Sequence, residues 1–200
     1  MILQRCLKFQ RKINKMTCCK ENVPEFIFTL NEGLDDNFLP KQSTEQDTGW
    51  DVKAAETITL YPTQKVLIPL GLRCFAPPGY WLELRPRSSS FGKKNLHALY
   101  GVLDEGYEGQ IYFACQWIPP FSSTEMDLAV NGFDGGVRAE ILKSYFSQTL
   151  IIENGERIGQ LIPVRRQSMN VSPVSTEEFK KLCEDRGQKR GAGGFGSSGK

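Results

Sequence analysis

The sequence predicts an all-β domain of the sandwich or barrel type. From residue 25 onward, short runs rich in β-branched and aromatic residues alternate with breaks that contain Gly, Pro, Asn or Asp, as in Pro77-Pro78-Gly79 and Asn154-Gly155. The chain has 200 residues, of which 40% are hydrophobic and 24% charged, a composition typical of one globular domain. Many short strands in one such domain favour a β-sandwich or barrel.

The predicted strands follow one another closely, in the order 25–30, 49–54, 57–60, 65–72, 80–85, 109–117, 149–152 and 157–163. Two other segments have helical character. In residues 137–145, apolar side chains recur at helical spacing. Residues 175–183 open with Ser-Thr-Glu-Glu, the capping-box pattern of a helix N-terminus. Both predicted helices are short.

Charged residues divide the chain into three parts. Residues 1–20 hold six basic and no acidic side chains, residues 186–200 hold four basic and none acidic, and the stretch between holds 15 basic and 23 acidic. We expect residues 1–22 to be a disordered basic extension and 23–186 to form the β domain. The Gly-rich segment 187–200 is expected to be a flexible arm, because burial of its few apolar groups cannot offset its ordering entropy.

Several function classes are not expected from this composition. Direct nucleic-acid binding would favour a basic face on the domain rather than basic ends. No run approaches the roughly 18 apolar residues of a membrane span. The six cysteines are scattered without a C-x-x-C pair, and the single His97 is not part of an H-x-E motif, which argues against disulfide frameworks, zinc sites and Ser-His-Asp hydrolases. We expect an intracellular, cytoplasmic protein, with organelle or nuclear targeting by the basic tail left open.

Five polar motifs occur in a fixed order: TGWDVKA (48–54), RPRSS (85–89), GVLDEGYEG (101–109), GERIGQLI (155–162) and RGAGGFGSSG (190–199). Each alone has a plain structural explanation, such as a turn closed by Asp51 or Asp104. Together, in this order and spacing, they resemble the five motifs of the homotrimeric dUTPase family over residues 25–200, apart from one insertion. The third and fifth motifs are the most specific.

The resemblance implies a β-barrel or distorted jelly roll that forms a homotrimer with a flexible C-terminal arm. It also implies hydrolysis of dUTP to dUMP and pyrophosphate by Mg²⁺-assisted attack of water on the α-phosphate, which limits uracil incorporation into DNA and supplies dUMP. Asp104 matches the base that activates the water, because a carboxylate ionised at neutral pH can accept a proton from a water held in line. Asp51 matches the position that reaches the Mg²⁺ through water.

The remaining site residues are also assigned by this resemblance. Arg87, Ser88 and Ser89 match the segment that holds the phosphate chain, and Gln160 matches a glutamine near the α-phosphate. Tyr107 matches the residue beneath the deoxyribose, where a ribose 2′-OH would clash. In the arm, Arg190 matches a ligand of the terminal phosphate, Phe195 stacks on the base, and glycine amides join the serines in an anion nest that contains Gly196, Ser197 and Ser198.

The base pocket is where the sequence departs from the family. Residues 96–102 match a β-hairpin whose backbone groups bind uracil, which makes Ala98 and Gly101 candidate substrate-binding residues. The family commonly has Asn where this chain has Ala98, and Asn95 or His97 could take its place. The strictness of uracil selection is therefore left open.

The segment 121–146 is longer than the usual connection of about 4 to 6 residues. All five motifs lie outside it, so we expect a separable insertion that covers the enzyme's own surface or binds a regulatory protein partner. Some phage members of the family carry an insertion at a similar place that contacts regulatory proteins. A second alternative is the related dCTP deaminase, but Ala114 stands where that enzyme needs a catalytic glutamate.

Overall fold

The computed structural model describes residues 23–131 and 135–186, and the chain divides into two units, Met1–Arg166 and Gln167–Lys200. Residues 1–22, 132–134 and 187–200 lie outside the described part, so the expectations for the basic extension and the Gly-rich arm stay predictions. Within the described residues, no helix has the length and apolar character that crossing a bilayer requires.

Eleven strands lie within the described part of the first unit, and all their pairings are antiparallel. They are β1 (Ile27–Leu30), β2 (Trp50–Lys53), β3 (Ile58–Leu60), β4 (Lys65–Pro69), β5 (Leu72–Phe75), β6 (Tyr80–Pro86), β7 (Leu96–Ala98), β8 (Gly101–Leu103), β9 (Tyr112–Trp117), β10 (Leu150–Ile152) and β11 (Arg157–Arg165). They form four sheets, β1-β5, β10-β3, β2-β11-β6-β8 and β4-β9-β7. The predicted all-β class is confirmed.

The core lies where the inward faces of these strands meet. Strand β9 shows the alternation clearly: Phe113, Cys115 and Trp117 are buried, whereas Tyr112 is exposed. Alternate residues of a strand point to opposite faces, so a period of two in burial marks a sheet with one face packed inward. Other strands contribute Val52, Leu60, Ile68, Leu72, Leu82, Leu84, Ile152, Ile158 and Leu161 to the same buried cluster.

One predicted strand proved to be two. The run 65–72 breaks after Pro69, and β5 begins at Leu72 with a different partner. Gly71 sits at the break with a φ of +66°, and a Cβ there would lie 2.2 Å from Leu34 Cδ1 and 2.9 Å from the Ala55 Cβ. Only glycine fits both the left-handed backbone and this close approach. The other predicted strands are present with slightly different ends.

Four α-helices lie within the described residues, α1 (Ser88–Lys94), α2 (Ser123–Asn131), α3 (Gly135–Ser147) and α4 (Thr176–Asp185), together with a short 3-10 helix over Asp36–Phe38. The two predicted helices correspond to α3 and α4, and both predictions are confirmed. In α4, Ser175 and Glu178 make the reciprocal capping box that the sequence indicated. Helices α1 and α2 were not predicted, because α1 spans only seven residues and neither carries an apolar stripe.

The insertion 121–146 contains α2 and most of α3. The Arg138 guanidinium on α3 donates to the main-chain oxygens of Ala129 and Val130 at the end of α2, at 2.5 and 2.8 Å. The Phe121 and Tyr145 rings stack with centroids 4.1 Å apart, and Tyr145 is the buried residue of α3. These contacts fold the two helices into a helical hairpin.

Candidate active site

The first, second and fourth motifs meet at one end of the sheet β2-β11-β6-β8. In its antiparallel register, Gln160 on β11 lies opposite Asp51 on β2 and also opposite Arg85 on β6. Arg87 follows β6 directly and is the N-cap residue of α1. The pairing of three strands therefore brings together the candidate residues Asp51, Arg87, Ser88, Ser89 and Gln160, which the sequence spreads over more than 100 positions.

Asp51 is the electrostatic centre of this cluster. Its Oδ1 lies 3.1 Å from Arg87 Nε, and its Oδ2 lies 3.1 Å from Arg157 Nη1. The Asp51 side chain is only 13% exposed, whereas that of Arg157 is 50% exposed. A carboxylate that is largely buried is stabilised by such paired cations. The two arginines outnumber the single acid, which leaves excess positive charge suited to an anionic ligand.

Arg157 was not among the residues chosen from the sequence. Its position at the start of β11, opposite Lys53 and next to the strand that carries Asp51, is what brings it to the carboxylate. Arg157 Nη1 also lies 3.4 Å from Ser43 Oγ. The sequence signal was the arginine inside the fourth motif, GERIGQLI, but its partner could not be read without the strand register.

The second-motif segment is anchored to β11. The Ser90 hydroxyl, which is buried, donates to the Ile158 carbonyl at 2.8 Å, and the Arg87 amide donates to the same oxygen at 3.4 Å. In the first turn of α1, Ser88 is exposed and Ser89 is partly buried. Buried polar groups of this kind are expected to be paired. Here the two hydrogen bonds to Ile158 fix the point at which the chain leaves the sheet, at Arg87.

The side chain of Gln160 packs closely against Gly49 of the first motif. Its Nε2 lies 3.4 Å from the Pro86 carbonyl oxygen. A Cβ at Gly49 would come within 2.0 Å of Gln160 Oε1, so only glycine leaves room for this side chain. Gly49 is a positioning residue that the motif TGWDVKA contains but that sequence reasoning did not single out.

Asp104 opens a tight turn after β8. The Tyr107 amide donates to the Asp104 carbonyl at 3.0 Å, and Asp104 is exposed. The turn borders a cavity of about 390 Å³ that is lined by Tyr80, Trp81, Val102, Asp104, Glu105, Gly106 and Arg166. The Tyr107 hydroxyl donates to the Gln110 carbonyl at 2.7 Å, and its ring packs so closely on Gly109 that a Cβ there would lie 2.5 Å from the hydroxyl. Two contacts thus fix the tyrosine.

The structure does not bring Asp104 to the Asp51 cluster within one chain. Leu103, which precedes Asp104, lies opposite Leu82 near the start of β6, whereas Arg87 follows the end of β6. Five residues of extended strand span about 16 Å, so Asp104 and Arg87 lie at opposite ends of the same strand. The candidate base and the candidate phosphate ligands of a single chain are too far apart to act on one phosphorus atom.

The expectation of a hydrogen-bonded hairpin over 96–102 is wrong. Strand β7 pairs with β9, and β8 pairs with β6, so the two strands belong to different sheets. The Leu99 amide donates to the Ala114 carbonyl at 2.9 Å, which continues the β9 pairing up to the turn. Ala98 is partly buried at the end of β7, and Gly101 begins β8 opposite Leu84. The segment therefore crosses from the sheet that contains β9 to the sheet that contains β6.

The two possible substitutes for the missing asparagine have different surroundings. Asn95 ends α1 in the left-handed conformation with a φ of 51°, and its carbonyl accepts from the Ile118 amide at 3.2 Å. His97 is exposed, and its ring lies edge-on to Phe91 with centroids 5.2 Å apart. Asn95 therefore serves as a helix C-cap and is partly buried, and His97 is the more exposed of the two.

No group of three or more His, Cys, Asp or Glu side chains that could hold a metal ion occurs in the described part of the chain. Burial raises the pKa of the Cys74 and Cys115 thiols to about 11, so neither is a thiolate nucleophile at neutral pH. The candidate residues of the fifth motif, Arg190, Phe195, Gly196, Ser197 and Ser198, lie outside the described residues.

Comparison with known proteins identifies the same scaffold. The dUTPase family model matches residues 36–117. A deoxyuridine 5′-triphosphate nucleotidohydrolase from Polynucleobacter necessarius is 32% identical over 176 residues, covering 86% of this chain and 94% of that protein. One from Neisseria gonorrhoeae is 30% identical over 184 residues, covering 89% of this chain and 98% of that protein.

Solved structures agree. The dUTPase of Staphylococcus bacteriophage 80alpha with dUPNHPP has a TM-score of 0.62 at 27% identity, covering 88% of this chain and 99% of that chain. The dUTPase of Streptococcus mutans has a TM-score of 0.55 at 25% identity, covering 72% of this chain and 98% of that chain. The fold, the cluster of Arg87 and Arg157 around Asp51 and these likenesses define an all-β nucleotidohydrolase. The chain belongs to the dUTPase family.

Proposed function

We propose that the chain hydrolyses dUTP to dUMP and pyrophosphate. The observation that carries this proposal is the convergence of Asp51, Arg87 and Gln160 at one end of the sheet, in a chain of the dUTPase family with an exposed Asp104 turn. A triphosphate requires cations and hydrogen-bond donors placed side by side along three phosphoryl groups. The arginine-rich cluster has that character.

The proposed reaction is an in-line displacement at the α-phosphorus. Asp104 accepts the proton of the attacking water on a carboxylate oxygen, the water oxygen bonds to the α-phosphorus, and the bond to the bridging oxygen of the β-phosphate breaks. Pyrophosphate leaves with the electron pair. Arg87 offsets the charge of the phosphate chain, and Ser88, Ser89 and Gln160 supply donors along it. Positioning and charge neutralisation account for most of such a rate enhancement.

Mg²⁺ is the proposed cofactor, and the residues present fit it. Mg²⁺ keeps several waters and is bound by one or two carboxylates together with substrate phosphates, so a lone Asp51 acting through water is sufficient. When bound, the ion would neutralise charge on the triphosphate and orient it. Arg87 and Arg157 hold the Asp51 carboxylate in place at the edge of the cluster.

Substrate selection is assigned to two regions. Tyr107, fixed by Gln110 and by its contact with Gly109, is proposed to exclude a ribose 2′-OH by steric clash. The 96–102 segment, with Ala98 and Gly101, is proposed to read the base through main-chain groups near its turn. Phe195 would stack on the base, and Arg190, Gly196, Ser197 and Ser198 would bind the phosphates. Because dUTP arises inside cells, we place the protein in the intracellular, cytoplasmic compartment.

A homotrimer completes the proposed site. Asp104 and Arg87 lie at opposite ends of β6, so a second copy must supply the base to the phosphate-binding cluster of the first. A closed ring of three identical subunits repeats this head-to-tail contact three times and leaves no open end. The partners in this proposal are therefore dUTP and two further copies of the chain.

A protein partner for the insertion is the second candidate function. The described part of α2 and α3 buries one large side chain, Tyr145, while it exposes Met126, Leu128, Val130, Val137, Leu142 and Phe146. A cluster of exposed apolar side chains on a helical hairpin is typical of an interaction surface. This role would add to hydrolysis, since the site residues lie outside the insertion.

The function is tested with a nucleotide panel. The wild-type protein and Asp104→Asn are incubated with dUTP, dCTP, dTTP and UTP in the presence of Mg²⁺, and the products are identified by chromatography. We expect dUMP and pyrophosphate from dUTP with the wild-type protein. Asp104→Asn should bind dUTP without turning it over, because the amide keeps the shape but cannot accept the proton. Normal turnover by the variant, or deamination of dCTP by the wild-type protein, would refute the proposal.

A further inference from the structure

Glu105, the residue after the proposed base, closes a ring of contacts around Gly79. Its Oε2 accepts a hydrogen bond from the Gly79 amide at 2.9 Å and lies 3.3 Å from Arg166 Nη1. The Arg166 amide in turn donates to the Gly79 carbonyl at 2.8 Å. Three contacts thus join three separate segments: the turn after β8, the turn before β6 and the end of β11.

The fixed point of this ring is the turn at Gly79. Gly79 has a φ of +80°, a backbone conformation that glycine adopts without a steric penalty. The Tyr80 amide donates to the Pro77 carbonyl at 3.1 Å, which closes the turn. Because β6 continues from this turn as one of the two central strands of its sheet, the ring ties Glu105 to a strand that is paired on both sides.

The ring acts directly beside Asp104. Strand β8 ends at Leu103, so the ladder to β6 no longer holds the backbone at Asp104. In residues 23–131 and 135–186 the structure records no ion pair or hydrogen bond for the Asp104 carboxylate, whereas the next residue is anchored twice. Glu105 and Asp104 line the same cavity as Arg166.

We propose that Glu105 is a positioning residue that fixes the Asp104 carboxylate through Gly79 and Arg166, a proposal that rests on the proposed function. A general base must lie within hydrogen-bond reach of the proton that it removes. The carboxylate of an exposed aspartate on a turn keeps one position only if the backbone of that turn is itself fixed. In this proposal Asp104 accepts the proton, and Glu105 determines the position of the Asp104 carboxylate.

The test uses graded variants of Glu105 in the full chain. Glu105→Gln keeps an acceptor for the Gly79 amide but removes the charge that holds Arg166, and Glu105→Ala removes both contacts. Glu108→Ala is the matched control in the same loop, because its described contact is a main-chain carbonyl that accepts from Arg73 at 3.2 Å. kcat and KM for dUTP and the thermal midpoint are measured for each variant beside the wild-type protein.

The expected order of kcat is wild-type, then Glu105→Gln, then Glu105→Ala, with the alanine variant lowered about 10- to 100-fold, as for a catalytic group displaced by about 1 Å. KM should stay within about twofold, because the phosphate ligands are untouched. The thermal midpoint should change little, since the Glu105 and Arg166 side chains are 32% and 65% exposed. Glu108→Ala should match the wild-type protein.

Arg166→Gln separates positioning from a general loss of structure. If Arg166 acts through Glu105, the double variant Glu105→Ala/Arg166→Gln should have the kcat of Glu105→Ala within about twofold, because coupled residues are not additive. Independent, multiplicative losses would overturn the proposal, as would a wild-type kcat for Glu105→Ala or an equal loss in Glu108→Ala. If the wild-type protein does not hydrolyse dUTP, the proposed function itself fails.

Discussion

At the scale of single residues, the proposed site depends on side chains whose positions are set by their neighbours. Asp51 is held by Arg87 and Arg157, and Gln160 has room only because residue 49 is glycine. Such contacts show that several residues of the motifs place other side chains of the proposed site. They also predict that small substitutions next to the site act through geometry.

Gly49→Ala tests this directly. The new methyl group would sit 2.0 Å from Gln160 Oε1, so the glutamine must move away from its present place. We expect kcat/KM for dUTP to fall about 10- to 100-fold, as for other displacements of about 1 Å in an active site. Steady-state kinetics and a thermal melt are the measurements.

Gly92→Ala is the control for this substitution. Gly92 lies in α1, and a Cβ there meets no atom within 4 Å. Alanine is favoured over glycine in a helix, so activity should be unchanged and the thermal midpoint equal or slightly higher. A Gly49→Ala protein as active as Gly92→Ala would contradict the role given to Gly49.

At the scale of elements, β6 organises the enzyme. It pairs with β11 on one side and β8 on the other, so it connects the proposed phosphate-binding cluster with the Asp104 turn. The helical hairpin of the insertion does not connect these two regions. The hairpin lies between β9 and β10 in the sequence. Its contacts include the Phe121–Tyr145 stack and the Arg138 hydrogen bonds.

Replacing residues 121–146 by a short Gly/Asn turn that joins Pro120 to Ser147 is therefore expected to preserve hydrolysis. All the proposed site residues lie outside the segment, so turnover should stay within about tenfold of wild-type, a barrier change of about 1.4 kcal/mol. Activity, oligomeric state and thermal stability are measured together. A protein that is folded and trimeric but inactive would show that the insertion belongs to the active site.

At the scale of the whole molecule, the distance between Asp104 and Arg87 makes the proposed enzyme dependent on assembly. Neither end of β6 holds a complete set of residues. The proposed trimer thus has a catalytic purpose in addition to any stability it confers, and its sites should be assembled from different chains.

A mixture of two inactive variants tests this assembly. Asp104→Asn and Arg87→Ala are each expected to be inactive alone. Refolded together in equal amounts, they should form mixed trimers in which about a quarter of the sites receive both wild-type residues, if each site takes one residue from each of two chains. Turnover near a quarter of wild-type is the expected result. Mixed trimers, verified by native mass spectrometry, that remain inactive would refute shared sites.

The C-terminal Gly-rich arm also gives a prediction at the scale of the whole molecule. Removing residues 187–200, which lie outside the described residues, should abolish most hydrolysis, because Arg190, Phe195 and the glycine amides would no longer close over dUTP. Phe195→Ala should have a milder effect, since stacking on a base is worth about 1 to 3 kcal/mol. The thermal midpoint should be unchanged. A large loss of thermal stability on truncation would show that the segment is part of the core.

The extent of prediction from sequence differs between fold and site. Local patterns gave the strand-rich class, α3, α4 and the capping box at Ser175, because these follow from burial period and capping chemistry between near neighbours. They failed at Gly71, where a left-handed backbone close to Leu34 and Ala55 separates β4 from β5, and at 96–102, where β7 pairs with β9 and β8 pairs with β6. Contacts across long separations leave no periodic signal in the chain.

The sequence by itself indicated the family, predicted the base and the phosphate ligands, and placed the proposed insertion outside the five motifs. The proposed reaction requires particular types of side chain, and their types and order can be read directly from the sequence. Only the tertiary structure decided that Arg157 joins Arg87 on Asp51, that Gly49 makes room for Gln160, and that Asp104 stands at the far end of β6. Those facts depend on strand register, which is set by how the sheets share one core rather than by any local run of residues.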